Sequence, residues 1–168
     1  MPAGILKKYE SAIYVYTSIV VMKDTSLSLP SLPCMCASFR RASRALTQIY
    51  DEAFRPLGLR ITQFTLLQAL SLTGEISQGD LGEVLALDST TLSRTLQIML
   101  QRQWIEERPG KDRRERLLRL AKAGQEQFKR AMPHWQKAQA RLRSALGDNR
   151  WNDLLQVSNQ LTNVLTNF

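Results

Sequence analysis

The residues with the most chemistry to offer cluster between Asp88 and Leu120. Ser89, Thr90, Thr91, Ser93, Arg94 and Gln97 supply short hydroxyl and amide groups plus one fork-shaped cation. That set suits the edge of a base pair or a phosphate better than an apolar interior. Downstream, Arg108, Lys111, Arg113, Arg114, Arg116 and Arg119 crowd six cations around the turn Pro109-Gly110. Like charges held so close repel one another, and a fold tolerates them more easily when its partner is a polyanion. Asp112 is the acid at the tip, and pairing with Arg114 would stiffen the hairpin, which then loses less entropy on docking.

These side chains need a helix and a hairpin to present them. Asp88 is a good N-cap for the segment that follows. Leu92, Leu96, Met99 and Leu100 then recur at helical spacing, so Ser89, Thr90, Ser93, Arg94 and Gln97 fall largely on the opposite side. A merely solvated face would share that pattern; the basic hairpin beside it favours a docking face. Trp104 to Arg108 and Glu115 to Leu120 predict two short strands about the Pro-Gly reversal.

Upstream, Ala42, Ala45, Leu46, Ile49, Ala53 and Leu57 predict a long helix from about Cys36, stopped by Pro56-Leu57-Gly58. Thr62 is expected to cap a second helix through Leu66, Leu67 and Leu70 that ends near Gly74. A short third helix starts near Ser77 and, with the Asp88 helix, completes a helix-turn-helix. Beyond Gly124, one apolar stripe runs from Phe128 through Trp135 to Ala145, Gly147-Asp148 breaks it, and a second runs from Trp151 to Phe168. The last stripe is more apolar than one small domain can cover, which points to a symmetric dimer that buries it twice. The predicted fold is therefore mainly α with a small two- to three-stranded β-wing, a winged helix-turn-helix with C-terminal dimerisation helices; that N-terminal dimerisation helices join them is implied by family resemblance. The expected divisions are an N-terminal extension at 1–33, a dimerisation helix at 34–60, the DNA-binding unit at 61–121 and dimerisation helices at 122–168.

Bulk properties agree. At 168 residues with 43% apolar content the chain can bury a real core. Its net charge of +8 points to nucleic acid or an anionic membrane face, and the basic hairpin favours nucleic acid. Within residues 1–33, Lys7 and Lys8 precede an apolar run from Ala12 to Met22 that is too short to span a bilayer. No small-residue cleavage site follows it, and Met22, which opens a polar Ser/Pro-rich leader, is an alternative start. No membrane partner is expected, and the expected location is the cytoplasm.

Leu81 to Leu96, Trp104-Ile105-Glu106-Glu107-Arg108, Asp112-Arg113-Arg114 and Leu120-Ala121-Lys122-Ala123-Gly124 together resemble the MarR family of winged helix-turn-helix transcription regulators. The resemblance reaches upstream to about Cys34 and covers most of the chain; it departs at Ala121, where members usually carry a capping Thr. It implies that the helix from about Ser89 enters a major groove while Arg113 of the wing reaches the adjacent minor groove. It also implies a dimer built from both chain ends, so that the operator is an inverted repeat. Cys36-Ala37-Ser38-Phe39-Arg40-Arg41-Ala42-Ser43, with Tyr50 further on, resembles the first helix of the organic-hydroperoxide-sensing branch. Cys36 takes the sensing-thiol position and Tyr50 that of a tyrosine hydrogen-bonded to it, whereas Arg40 replaces a second tyrosine and Ala37 a phenylalanine.

Two triggers fit these residues. Cys36 near the head of a helix, with Arg40 and Arg41 close by, has positive charge beside its sulfur, as attack on a peroxide or quinone requires; a small buried hydrophobe in a dimer seam explains it as well. The other trigger is a phenolic or carboxylate effector in a pocket lined by Tyr50, Phe54, Phe64 and Trp135, with Arg40, Arg44 or His134 meeting the anion; core packing is the plainer account of those rings. No cofactor is expected, and Cys34, Cys36 and His134 cannot complete a tetrahedral metal site by themselves. The leading reading is a dimeric sequence-specific regulator, by default a repressor. Its alternatives are a non-specific architectural DNA binder and a thiol peroxidase, the last opposed by the absence of an assembled catalytic set.

Overall fold

A computed structural model describes residues 33–110, 112 and 115–165. The N-terminal extension, the wing-tip residues Lys111, Arg113 and Arg114, and Phe168 lie outside the described residues. The chain divides into two compact units at Leu46/Thr47.

The first unit is the leading part of helix α1 (Met35–Phe54). Its first turn closes with the Ser38 N–H on the Cys34 carbonyl at 3.0 Å, and both cysteines are exposed.

The second unit opens with the rest of α1, which turns inward at Phe54, fully buried. Pro56 then permits only a short 3-10 turn, Arg55–Leu57, before Gly58 reverses the chain at φ 59°. Helix α2 (Ile61–Thr73) starts with Arg60 at its N-cap, so Thr62 lies inside the first turn and does not cap it. The orphan N–H groups are satisfied from elsewhere: Ile61 N–H donates to Asp51 Oδ1 at 2.7 Å, and Arg60 N–H to Gln63 Oε1 at 3.0 Å. Phe64, Leu66, Leu67, Ala69 and Leu70 leave α2 apolar nearly all round, which makes it the central helix of the core.

Strand β1 (Ile76–Ser77) leads into α3 (Gln78–Leu85), capped by the Ser77 hydroxyl, which accepts from Asp80 N–H at 3.0 Å. A tight corner follows: Ala86 N–H bonds the Glu83 carbonyl and Leu87 N–H the Gly82 carbonyl, with Ala86 left-handed at φ 49°. Gly82 lets the next helix approach, since a Cβ there would stand 3.3 Å from the Leu87 carbonyl oxygen. That helix is α4 (Ser89–Gln101). Strands β2 (Ile105–Pro109) and β3 (Arg116–Leu120) form the hairpin, and the antiparallel sheet has the order β1-β3-β2, with Ile76 opposite Leu118 and Ile105 opposite Leu120. Ile105 and Leu118 point to the core; Glu106, Arg108 and Arg119 lie on the other face.

Helix α5 (Lys122–Leu146) follows β3 with no side-chain cap at Ala121. Helix α6 (Asp148–Leu165) follows Gly147, as the Gly-Asp break predicts. Phe54 stacks on Phe64 with centroids 4.9 Å apart, and Trp135 lies on the same Phe64 ring at 6.0 Å.

Gly124 carries a severe constraint: a Cβ there would fall 1.9 Å from the Trp104 carbonyl oxygen, which also accepts the Ala121 N–H. Backbone on both sides leaves nothing flexible to yield. Gly124→Ala should therefore lower stability by about 1–3 kcal/mol, the usual range for overpacking, read as an earlier urea midpoint; an unchanged midpoint would refute this contact.

Candidate nucleic-acid interface

Helix α4 is oriented by what it must bury. Leu92, Leu96 and Met99 are at most 3% exposed, so Ser89, Thr90, Thr91, Ser93, Arg94 and Gln97 are turned outward, all exposed. Asp88 holds the start of the ridge: its Oδ1 accepts the N–H groups of Thr90 at 3.0 Å and Thr91 at 2.9 Å, and its Oδ2 accepts the Thr91 hydroxyl at 2.6 Å. The Thr91 hydroxyl is thus committed to the cap. Ser93 Oγ accepts from Gln78 Nε2 at 3.0 Å, which ties the ridge to the first turn of α3.

Between α3, α4 and the root of the hairpin lies an open groove of about 1540 Å³, lined by Ser77, Gln78, Glu83, Ser89, Ser93, Asp112, Glu115 and Arg116 among others. Its walls mix polar side chains with Ala86, Leu87 and Leu92, on a backbone fixed by two capped helices. Sequence reasoning missed Gln78 and Glu83 here, and counted Arg116 only among the hairpin cations. Gln78 follows a Ser cap on the brace helix, a position from which a polar side chain can meet the second helix, and that signal was available.

The hairpin cations do not all stand free to repel one another. Arg108 makes a two-pronged contact with Glu75, Nε on Oε2 and Nη2 on Oε1. Arg119 pairs with Glu106 at 2.6 Å, and Arg116 with Glu107 at 3.2 Å. Arg108, expected among the DNA contacts, is placed with its guanidinium on the Glu75 carboxylate. The Arg108 guanidinium holds the Glu75 carboxyl below the usual carboxylate range. Asp112 forms an exposed bend whose carbonyl accepts the Glu115 N–H at 2.9 Å; its expected partner Arg114 lies outside the described residues.

The sensing candidates are placed as follows. Cys36 is exposed at the second position of α1, and Arg40 and Arg44 are exposed on the same helix. The Tyr50 hydroxyl donates to Gln139 Oε1 at 2.7 Å, and burial pushes its phenol up. Phe54 and Phe64 are fully buried core, Trp135 is half-buried against Phe64, and His134 Nδ1 lies 3.0 Å from the Ala53 carbonyl. Those rings are packed on one another, as a core requires.

The family model described as MarR family matches residues 57–115. The transcriptional regulator MosR of M. tuberculosis, solved in complex with DNA, is 32% identical and aligns at a TM-score of 0.73 over 79% of this chain and 96% of that one. A mutant MarR of E. coli complexed with operator DNA aligns at 0.69 over 76% of this chain and 92% of its own, but at 20% identity it speaks for the fold alone. The "Uncharacterized HTH-type transcriptional regulator YwoH" of Bacillus subtilis (strain 168) is 26% identical over 88 residues; the match takes in 52% of this chain and spans 64% of that relative's length. The chain belongs to the MarR family of winged helix-turn-helix transcriptional regulators. Such proteins are regulators and not enzymes, which sets the peroxidase alternative aside. No helix among the described residues is long and apolar enough to cross a membrane.

The cap makes a pH-resolved prediction. The Thr91 hydroxyl, then the Thr91 and Thr90 N–H groups, hold the Asp88 carboxyl below its ordinary range. A carboxyl lowered in the folded state contributes stability that is present above its unfolded pKa and is lost as pH falls through the folded one. Asp88→Ala should lower the thermal midpoint at neutral pH, and the gap from wild type should close on acidification through and below the ordinary aspartate range. A gap that stays constant with pH would show that the carboxylate is not the cap.

Proposed function

We propose that the protein is a homodimeric, sequence-specific DNA-binding repressor whose α4 ridge enters the major groove of an inverted-repeat operator while the wing tip follows the neighbouring backbone. The observation that carries this reading is the outward row Ser89, Thr90, Ser93, Arg94 and Gln97, fixed on a capped helix beside an open groove. A rigid polar ridge is what base-edge readout needs, because hydrogen bonds discriminate only when their donors are held in place. Arg94 is the side chain suited to a guanine edge; Lys111, Arg113 and Arg114 are assigned to phosphate or the minor groove. The family relative solved with DNA supports the same partner.

Dimerisation is supported by α6, where Leu154, Leu155, Val157, Val164 and Leu165 are each at least half exposed in the single chain. A two-fold pair covers that face and places two α4 helices about 34 Å apart, one turn of duplex. A regulator of this kind works in the cytoplasm. The proposed divisions remain an N-terminal dimerisation helix at 34–60, a DNA-binding unit at 61–121 and C-terminal dimerisation helices at 122–168.

The trigger we favour is oxidation of Cys36, because Phe54, Phe64 and Trp135, the rings that would line an effector pocket, are filled in by one another. The thiolate sulfur attacks the terminal, hydrogen-bearing oxygen of a hydroperoxide, the O–O bond breaks with its electron pair leaving on the alkoxide, and the alkoxide takes up the proton the thiol gave up, so that a sulfenic acid and an alcohol result. A phenolic or carboxylate effector is the second trigger, and either one acts only by binding or modifying the DNA-competent and incompetent dimers unequally.

Two measurements test these roles. Arg94→Ala should lose roughly 1–3 kcal/mol of preference for operator over random duplex, whereas Arg113→Ala should weaken both and flatten the salt dependence by about one unit in the log–log slope. Equal affinity for both duplexes in the wild type would make the protein an architectural binder. For the trigger, Cys36→Ser should hold its operator in hydroperoxide that releases the wild type; unchanged release in the mutant would rule Cys36 out.

A further inference from the structure

Apart from the packing of Ile105 and Leu118 in the core, the wing is joined to the body of its unit by a very short backbone ladder. Strand β1 is Ile76–Ser77 alone, and it meets the hairpin only along β3; β2 is the outer strand and has no backbone ladder to β1. Two antiparallel residue pairs resist little twisting, and each strand spacing is about 4.8 Å, so β2 lies roughly 10 Å from β1. A side-chain tie that spans this width therefore matters more than an ordinary surface ion pair.

Glu75 and Arg108 make that tie. Glu75 precedes β1, Arg108 sits on β2, and the guanidinium reaches across β3 to grip both carboxylate oxygens. A fork on two oxygens fixes orientation as well as distance, which a single contact does not. The neighbourhood reinforces it. Continuing the register of Ile76 opposite Leu118 by one residue sets Glu75 beside Arg119, whose own partner Glu106 stands across the ladder. This face of the sheet thus carries two carboxylates and two guanidinium groups in alternation, so that each strand cation has an acid beside it, with Lys129 of α5 at the edge.

We propose that Glu75 is a positioning residue for DNA recognition: by holding Arg108 from the far side of β3 it sets the pitch of the β2–β3 hairpin against α4, and with it the shape of the groove offered to the duplex. This rests on the reading of the chain as a duplex binder. It makes a prediction of unusual sign. Removing an acid from a DNA-binding protein ordinarily strengthens binding, because it removes repulsion from phosphate. Here removing one should weaken it.

The test uses the full chain and two readouts. In the free protein, hydrogen exchange of Glu75→Gln should be faster at the amides of β2 and β3 and unchanged in α5. On a duplex that the wild type selects from a random pool, Glu75→Gln should bind about threefold more weakly, on the scale of an exposed ion pair, with the same salt slope. Arg108→Gln should show the same loss, and the double substitution should add nothing to either, as two ends of one contact require. Binding by Glu75→Gln that equals or exceeds wild type overturns the proposal, as does unaltered exchange in the hairpin. An Arg108→Gln slope flatter by about one unit also overturns it, since Arg108 would then be a phosphate ligand. If the wild type selects no duplex, the DNA reading itself fails and the positioning role falls with it; the exchange data still report whether Glu75 holds the hairpin.

Discussion

One helix has to satisfy two opposed demands, and the DNA-facing half of the molecule is arranged around that. Leu92, Leu96 and Met99 pull α4 into the core, which commits its other side to water or to a ligand with polar edges. The orientation would be worth little if the helix frayed, and the first turn is where it would fray. Asp88 closes that turn with three bonds, and Gly82 lets α3 brace it at close range. The corner between them tolerates a left-handed alanine, Ala86, at a cost of about 1–2 kcal/mol, so the angle between the two helices is enforced by the surrounding packing.

Charge in the wing follows a division of labour. Arg108, Arg116 and Arg119 are engaged by Glu75, Glu107 and Glu106, and these pairs build the root of the hairpin. Counting six cations toward a polyanion overstates the attraction at the root and misses the stiffness those three pairs provide. In the proposed reading, attraction falls instead to the ridge and to Lys111, Arg113 and Arg114. A stiff root beneath a cationic tip is a sound arrangement for following a backbone, since less freedom is lost when the tip docks.

Much of this was legible in the sequence. Periodicity placed the helices, Pro56 and Gly58 marked the first stop, Gly147 the last break, and Asp88 declared itself as a cap by type and position. What escaped had a common cause: it depends on partners distant along the chain. Asp51 serves the start of α2 from ten residues upstream, so Thr62 looked like the cap in a local reading. Glu75 and Arg108 are 33 residues apart and meet only once the strand order is known. Phe54, Phe64 and Trp135 could line a pocket, though a core is the plainer account, and their stacking is visible only in the fold. The third strand, two residues long, carries too few side chains for alternation to show.

The central claim is that two α4 ridges, fixed by a dimer, read two half-sites on one face of a duplex. The most direct measurement takes the selected operator and inserts about five base pairs between its half-sites, roughly half a helical turn, with a second version carrying a full turn of about ten. The account predicts that the half-turn insertion reduces binding to the level of random DNA, because one ridge is rotated to the far side of the duplex, and that the full turn restores part of the loss. Affinity indifferent to the half-turn insertion would contradict it, since the two ridges would then not be held in a common frame.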